Sequence, residues 1–484
     1  MMRVISIAGT YQPVRCGVAH YTAQLRHTLE PLGVQSWVLT THAAAEAVGQ
    51  PDVIGVVPDW SVSALMPLVR SLQTLPADLL HIQHAAGTYR FERAIFLLPL
   101  LLKLAGWRKP IVTTVHEYGW WEWQPQWIPS SLLEWLKQWG QAHHWWDRED
   151  GFLLTHSDAI ITTNDEAETV LRSRLPAFND RIHRIAIAPN IEVVPIDRAA
   201  ARRSLLQKCN WNEDAEIIVF FGFLHPVKGL ETLLPAFQQV VASRPQARLL
   251  LLGLRCTHKS IADSFSENLI LHNLDFSLPV LNKPRLLRFQ PISKVEAEQG
   301  FQDLCSQISD LCVHGRLLGG VESLALAGEQ ATHYWNQLHT LVADLNLQQA
   351  VHFTGYVAAE TASRYLSGAS IGVLPFNHGV TLKSGSLLVL LAHGLPVIAT
   401  RATPPDSNLA EQPWLHFTAP RDINQLTAQL IELLHRQTNV PSIGANGRQF
   451  VQQFAWDAIA AAHLQIYQNM LTNPLASDGV VKPI

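Results

Sequence analysis

Short, continuous apolar runs alternate along this chain with longer segments whose apolar residues recur every three or four positions. The first pattern predicts strands buried on both faces of a parallel sheet, the second amphipathic helices laid over it. Strands are expected at Arg3–Ala8, Trp37–Thr40, Leu79–His84, Ile111–His116, Ala159–Thr163 and Ile182–Ala188. Helices are expected from about Ala19 to Leu32, where Gly33 stops the pattern, and at Glu92–Ala105, Ser131–Gln141 and Glu166–Ser173. A second series opens at Glu216–Gly222, continues with a helix over Lys228–Ala242, and adds strands at Arg248–Gly253 and Val351–Gly355. A helix at Ala359–Ala369, a strand at Leu415–Thr418 and helices at Asp422–Gln437 and Trp456–Leu471 complete it.

Two successive βα series predict an α/β chain of two Rossmann-like domains facing each other across a cleft. The expected boundaries are 1–190 and 204–455, with a linker near Pro189–Arg203 where the pattern lapses. Residues 254–318 interrupt the second series with weak periodicity, longer than a βα connection normally runs. They read as an atypical insertion, a floppy excursion being favoured over an added subdomain.

Within the second series, Ile371–Thr400 carries the sharpest local signal. It reads as strand (Ile371–Leu374), loop (Pro375–Ser384), apolar helix (Gly385–His393) and strand (Pro396–Thr400). The first N–H groups of a helix lack partners and sit at its positive end, which suits an anion. Lys383 adds a charge there, and Ser384 and Ser386 add hydroxyls around Gly385. An ordinary capped surface helix is the competing reading.

Three other loops carry candidate chemistry. Gly17, in Arg15–Thr22 after the first strand, permits close backbone approach to an anion or a sugar hydroxyl. Gly222 and Lys228 flank a strand-to-helix turn, Lys228 as a phosphate ligand or simply a solvated lysine. His116 ends a strand where open α/β sheets place ligands, and could donate to a sugar hydroxyl or be structural. Nine of the fifteen tryptophans lie between Trp107 and Trp146, suited to stacking on sugars, to a membrane interface or to core packing. Asp147-Arg148-Glu149-Asp150 reads as a solvated turn.

Composition narrows the classes. A net charge of −4 gives no reason to expect nucleic acid as a partner. Five cysteines without a CxxC pair fit a reducing cytosol, and the chain starts in a strand-like run, so a cytoplasmic location is expected. The Cys256/His258 and Cys312/His314 pairs are too tightly spaced for usual zinc ligands, so no metal is assigned. The absence of GxGxxG weighs against a nicotinamide or flavin cofactor, and none is assigned.

Taken together, several of these segments resemble the group 1, family-4 glycosyltransferases of the GT-B fold. The matching residues are Cys16–Thr22, Thr114–Glu117, Ser157–Ala159, Pro189-Asn190, Gly222 with Lys228-Gly229, Val351–Tyr356 and Gly394–Thr400. The resemblance implies a retaining, metal-independent transfer of a sugar from a nucleotide-sugar donor, held by the C-terminal half, to an acceptor held by the N-terminal half. It also implies that the helix over 456–472 crosses back onto the first domain. A carbohydrate, lipid-linked or small-molecule acceptor is compatible with it, as is a peripheral contact with a membrane. On this reading His116, Lys228 and Lys383 are the catalytic candidates, and Gly17, Gly222, Ser384, Gly385 and Ser386 line the donor. The chain departs from the family where Phe223 replaces an arginine and where Thr381 and Val389 replace two glutamates. Lys383 is the candidate to supply the missing charge. Those departures and the insertion keep a non-catalytic GT-B-like binding or partner protein in view, and the same fold also serves nucleotide-sugar epimerases.

Overall fold

A computed structural model describes residues 1–14, 16–125, 128–254, 328–355, 357–409, 414–436 and 440–472. In the first half, seven strands form one all-parallel sheet: β1 (Met2–Ala8), β2 (Val34–Thr41), β3 (Val53–Val57), β4 (Leu79–His84), β5 (Ile111–Val115), β6 (Ala159–Thr162) and β7 (Ile182–Arg184). Their order is β3-β2-β1-β4-β5-β6-β7, with the reversal between β1 and β4. Helices α1 (Gly17–Leu29), α2 (His42–Val48), α3 (Leu65–Thr74), α4 (Leu98–Leu104), α5 (Ser130–Ala142), α6 (Phe152–Thr155) and α7 (Asp165–Arg174) connect them.

The second half begins at α8 (Arg198–Cys209), inside the stretch expected as a linker. Asp197 caps it by accepting from the Ala200 N–H at 2.9 Å. Leu205 and Leu206 then join the second core. Six strands follow: β8 (Glu216–Phe223), β9 (Ala247–Leu254), β10 (Val351–Phe353), β11 (Ile371–Leu374), β12 (Val397–Thr400) and β13 (Leu415–Thr418). Their all-parallel order is β10-β9-β8-β11-β12-β13, reversing between β8 and β11. Their helices are α9 (Leu230–Ser243), α10 (Gly328–Asp344), α11 (Ala359–Gly368), α12 (Gly385–Ala392), α13 (Ile423–His435) and α14 (Val440–Val451). The sequence pattern misplaces two starts: the segment expected as helix from Glu92 is 3₁₀ over Ala94–Leu97 before α4, and Lys228 closes a 3₁₀ turn ahead of α9. The expected insertion lies outside the described residues beyond Leu254, as do its cysteines and histidines.

The last helix, α15 (Trp456–Thr472), lies against the first half. Its Ile459, Ala460, Ile466 and Tyr467 pack with Tyr21, Leu25 and Leu29 of α1 and with Val4, Leu79 and Val112 of the sheet. No helix among the described residues is long and apolar enough to cross a membrane.

Candidate active site

Ligands in open α/β sheets bind beyond the carboxyl ends of the strands, at the reversal of strand order. In the second sheet that point lies between β8 and β11, and Gly222, Lys228 and Ser384–Ser386 lie around it. After β8 the chain turns through Pro226–Lys228 to Gly229, whose φ is +69°. A Cβ on Gly229 would sit 2.0 Å from the Pro375 carbonyl oxygen, so only glycine allows this approach. Asn377 ties the two loops together: its N–H donates to Val227 O and its side-chain amide to Pro226 O, each at 2.9 Å. Lys228 is buried, not solvated, with Nζ 3.9 Å from the centre of the Phe376 ring.

On the other side of the reversal, Ser384 caps α12, its hydroxyl accepting from the Leu387 N–H at 3.4 Å. Ser386 Oγ lies 3.1 Å from where a Gly222 Cβ would be, so the β8 terminus abuts the start of α12. Gly385 faces Asn190, whose side chain is 4.0 Å from the Cβ position. Lys383 reaches across to the first half and pairs with Glu166 near the start of α7. Beside it, Asn408 donates to Asp165 at 2.9 Å. The structure thus brings Gly222, Ser384, Gly385 and Ser386 together between the halves. Lys228 and Lys383 are each engaged by a partner of their own, Phe376 and Glu166. Phe223, where the family's arginine is missing, is 38% exposed at the β8 end, whereas Val389 is wholly buried in the core.

Across the cleft, Gly17 opens α1 with nothing within 4 Å of its Cβ position. His116 follows β5, its Nε2 2.9 Å from Gln83 Oε1 and its ring edge-on to Tyr21. Burial first, then the neighbouring His84 and His463, pushes its pKa down to about 3. The ring is therefore neutral and acts as a hydrogen-bonding group. Beneath it runs a buried polar network absent from the sequence reading: Gln83, His81, Thr114 and, from α15, Tyr467. Strand alternation turns His81 and Gln83 toward α1 and α15, and His84 to the opposite face.

The segment 147–150 corrects the sequence reading. Asp147, Glu149 and Asp150 are 2%, 3% and 1% exposed. Asp147 accepts from Tyr118 Oη at 2.7 Å and from the Glu149 and Asp150 N–H groups at 2.9 Å. Glu149 accepts from the Gly119 and Trp121 N–H groups and pairs with Arg174 at 3.1 Å. These carboxylates anchor the tryptophan-rich segment that leaves His116. Trp107 is core, Trp120 stacks on Trp121 with Phe91 edge-on to both, and Trp135, Trp139 and Trp145 are exposed. Among the described residues no group of three or more His, Cys, Asp or Glu side chains could hold a metal.

Comparison with known proteins follows the same division. A profile described as Glycosyltransferase Family 4 matches residues 16–189, and one described as Glycosyl transferases group 1 matches 292–436. The MMP alpha-(1->4)-mannosyltransferase of Mycolicibacterium hassiacum is 27% identical over 144 residues, 28% of this chain and only 33% of that protein. Sucrose-phosphate synthase from Thermosynechococcus elongatus superposes with a TM-score of 0.60 at 18% identity, covering 98% of this chain and 100% of its own. Anabaena HepE in complex with UDP and glucose gives 0.59 at 12% identity, covering 97% and 100%. The two profiles fall one on each half of the molecule, and the chain is a group 1, family-4 glycosyltransferase by family, GT-B by fold.

Proposed function

We propose that the protein transfers a sugar from a nucleotide-sugar donor to an acceptor, with retention at the anomeric carbon and without a metal. The observation that carries this reading is the tip of α12, Ser384-Gly385-Ser386, set beside Gly222 at the strand-order reversal and facing Asn190 across the cleft. Breaking the anomeric C–O bond leaves extra negative charge on the diphosphate. The unpaired N–H groups and positive end of α12 would stabilise that charge, with Lys228 and Lys383 alongside. In this arrangement a diphosphate competes with Glu166 for Lys383. UDP in the HepE structure supports a nucleotide donor; retention and metal independence rest on the family. His116 is assigned to the transferred sugar and Gly17 to the donor, from the opposite side of the cleft.

The test is incubation with a panel of nucleotide sugars, with and without acceptors, in the presence of a chelator. Nucleoside diphosphate release that needs an acceptor, with an anomerically retained product, supports the proposal. Isomerised donor points instead to an epimerase. Binding without turnover would make the chain a binding or partner protein, as exposed Phe223 and buried Val389 would favour.

We also infer a peripheral membrane contact serving a lipid-linked acceptor, in keeping with a cytoplasmic location. Leu132, Trp135 and Trp139 are spaced by three and four residues on α5 and are 48%, 57% and 40% exposed. Tryptophan combines an apolar face with one donor, which suits the headgroup boundary. Co-flotation with anionic liposomes, lost in a Trp135→Ser/Trp139→Ser variant, is the expected result; equal flotation of both proteins refutes it.

A further inference from the structure

His116 sits at the cleft, but its chemistry is decided one layer below. Gln83 Oε1 lies 2.9 Å from His116 Nε2. The other end of the same amide, Nε2, lies 3.2 Å from His81 Nε2 and 3.4 Å from His81 Nδ1. His81 is itself fixed on both sides, by Thr114 Oγ1 on Nε2 and Tyr467 Oη on Nδ1, each at 2.7 Å. All of these side chains except His116 are fully buried. The Gln83 backbone oxygen is held as well, accepting from Tyr89 Oη at 2.9 Å.

An amide nitrogen only donates and an amide oxygen only accepts. The Gln83 amide oxygen is the atom that faces His116, at 2.9 Å, so the His116 proton must reside on Nε2. We infer that Gln83 is a positioning residue that fixes His116 in the Nε2–H form, leaving Nδ1 as the ring's acceptor toward substrate. This rests on the reading of His116 as a sugar contact and reverses its expected sense: a substrate hydroxyl donates into Nδ1, where the sequence suggested a histidine donor. It also ties α15 into the layer beneath the histidine, since Tyr467 Oη lies 2.7 Å from His81 Nδ1.

Two-bond ¹H–¹⁵N spectra of the full-length protein, labelled at histidine and with His116 assigned through His116→Gln, test this directly. The expected wild-type signal is a protonated Nε2 with an unprotonated Nδ1. In Gln83→Leu the two tautomers should mix, and kcat/KM should fall about five- to tenfold, the worth of one hydrogen bond. In Gln83→Glu a carboxylate faces the Nε2 proton, so His116 should charge at a pH where the wild-type ring stays neutral. An Nδ1–H tautomer in the wild type, or an unchanged tautomer in Gln83→Leu, overturns the inference. Should Gln83→Leu not fold, the wild-type spectrum alone decides. Full activity in His116→Ala would remove the sugar contact while leaving the tautomer assignment standing.

Discussion

Replacing Gly229 with alanine probes the joint between the Lys228 turn and the β11 loop. Two costs add. A non-glycine residue at φ +69° pays roughly 1–2 kcal/mol for the left-handed backbone. The new Cβ also lies 2.0 Å from a backbone oxygen that cannot swing away like a side chain, since Asn377 clamps the same loop with two hydrogen bonds. Forcing atoms into a packed site costs about 1–3 kcal/mol. The total, about 2–5 kcal/mol, lowers the melting temperature of a domain this size by roughly 5–15 °C. Calorimetry should show the second half unfolding earlier, and fluorescence titration should show weakened nucleoside diphosphate binding as Lys228 leaves Phe376. A melting temperature within about one degree of wild type would refute the clamped joint, because the strained turn alone predicts more than that.

Gly17→Ala is the complementary probe: its Cβ meets nothing within 4 Å, so thermal stability should hold or rise slightly while transfer falls, and unchanged transfer removes Gly17 from the site. Lys383→Ala should lower turnover by about 10²–10³ if its charge offsets the leaving group, and a loss under twofold discards that role. The Glu149 carboxyl is lifted to about 7 by burial first and Asp150 next. The folded state then holds more protons than the unfolded one between the ordinary glutamate value near 4.5 and about 7, so stability falls as pH rises through that window. Glu149→Gln should flatten the slope in melting curves taken from pH 5 to 8, and an identical slope in both proteins contradicts the assignment.

Much of this architecture is legible in the sequence because buried parallel strands write themselves as apolar runs, as in Leu249–Leu252 and Val397–Ala399. Glycine and lysine at strand ends mark the turns that the site uses. What escapes detection depends on partners far away along the chain. The β3 strand is an edge with a half-buried pattern and a central glycine, so it lacks the run of its neighbours. Helix α8 is rich in arginine and buries only Ala201, Leu205 and Leu206, leaving little periodicity to see. Asp147–Asp150 looks solvated because its neutralising Arg174, and Tyr118, lie outside the motif. The Tyr467–His81 bond joins residues from opposite ends of the chain, and no local pattern encodes it. Lys383 illustrates the limit at the site itself: its position at a helix start is readable, but its engagement with Glu166 is a tertiary fact.

Hydrogen exchange with and without a nucleoside diphosphate tests the central claim most directly. If the diphosphate rests on the tip of α12 at the strand-order reversal, amides in 384–388 and 222–229 should slow together on binding. Protection confined to the first half, or exchange unchanged in both segments at saturating ligand, would contradict it.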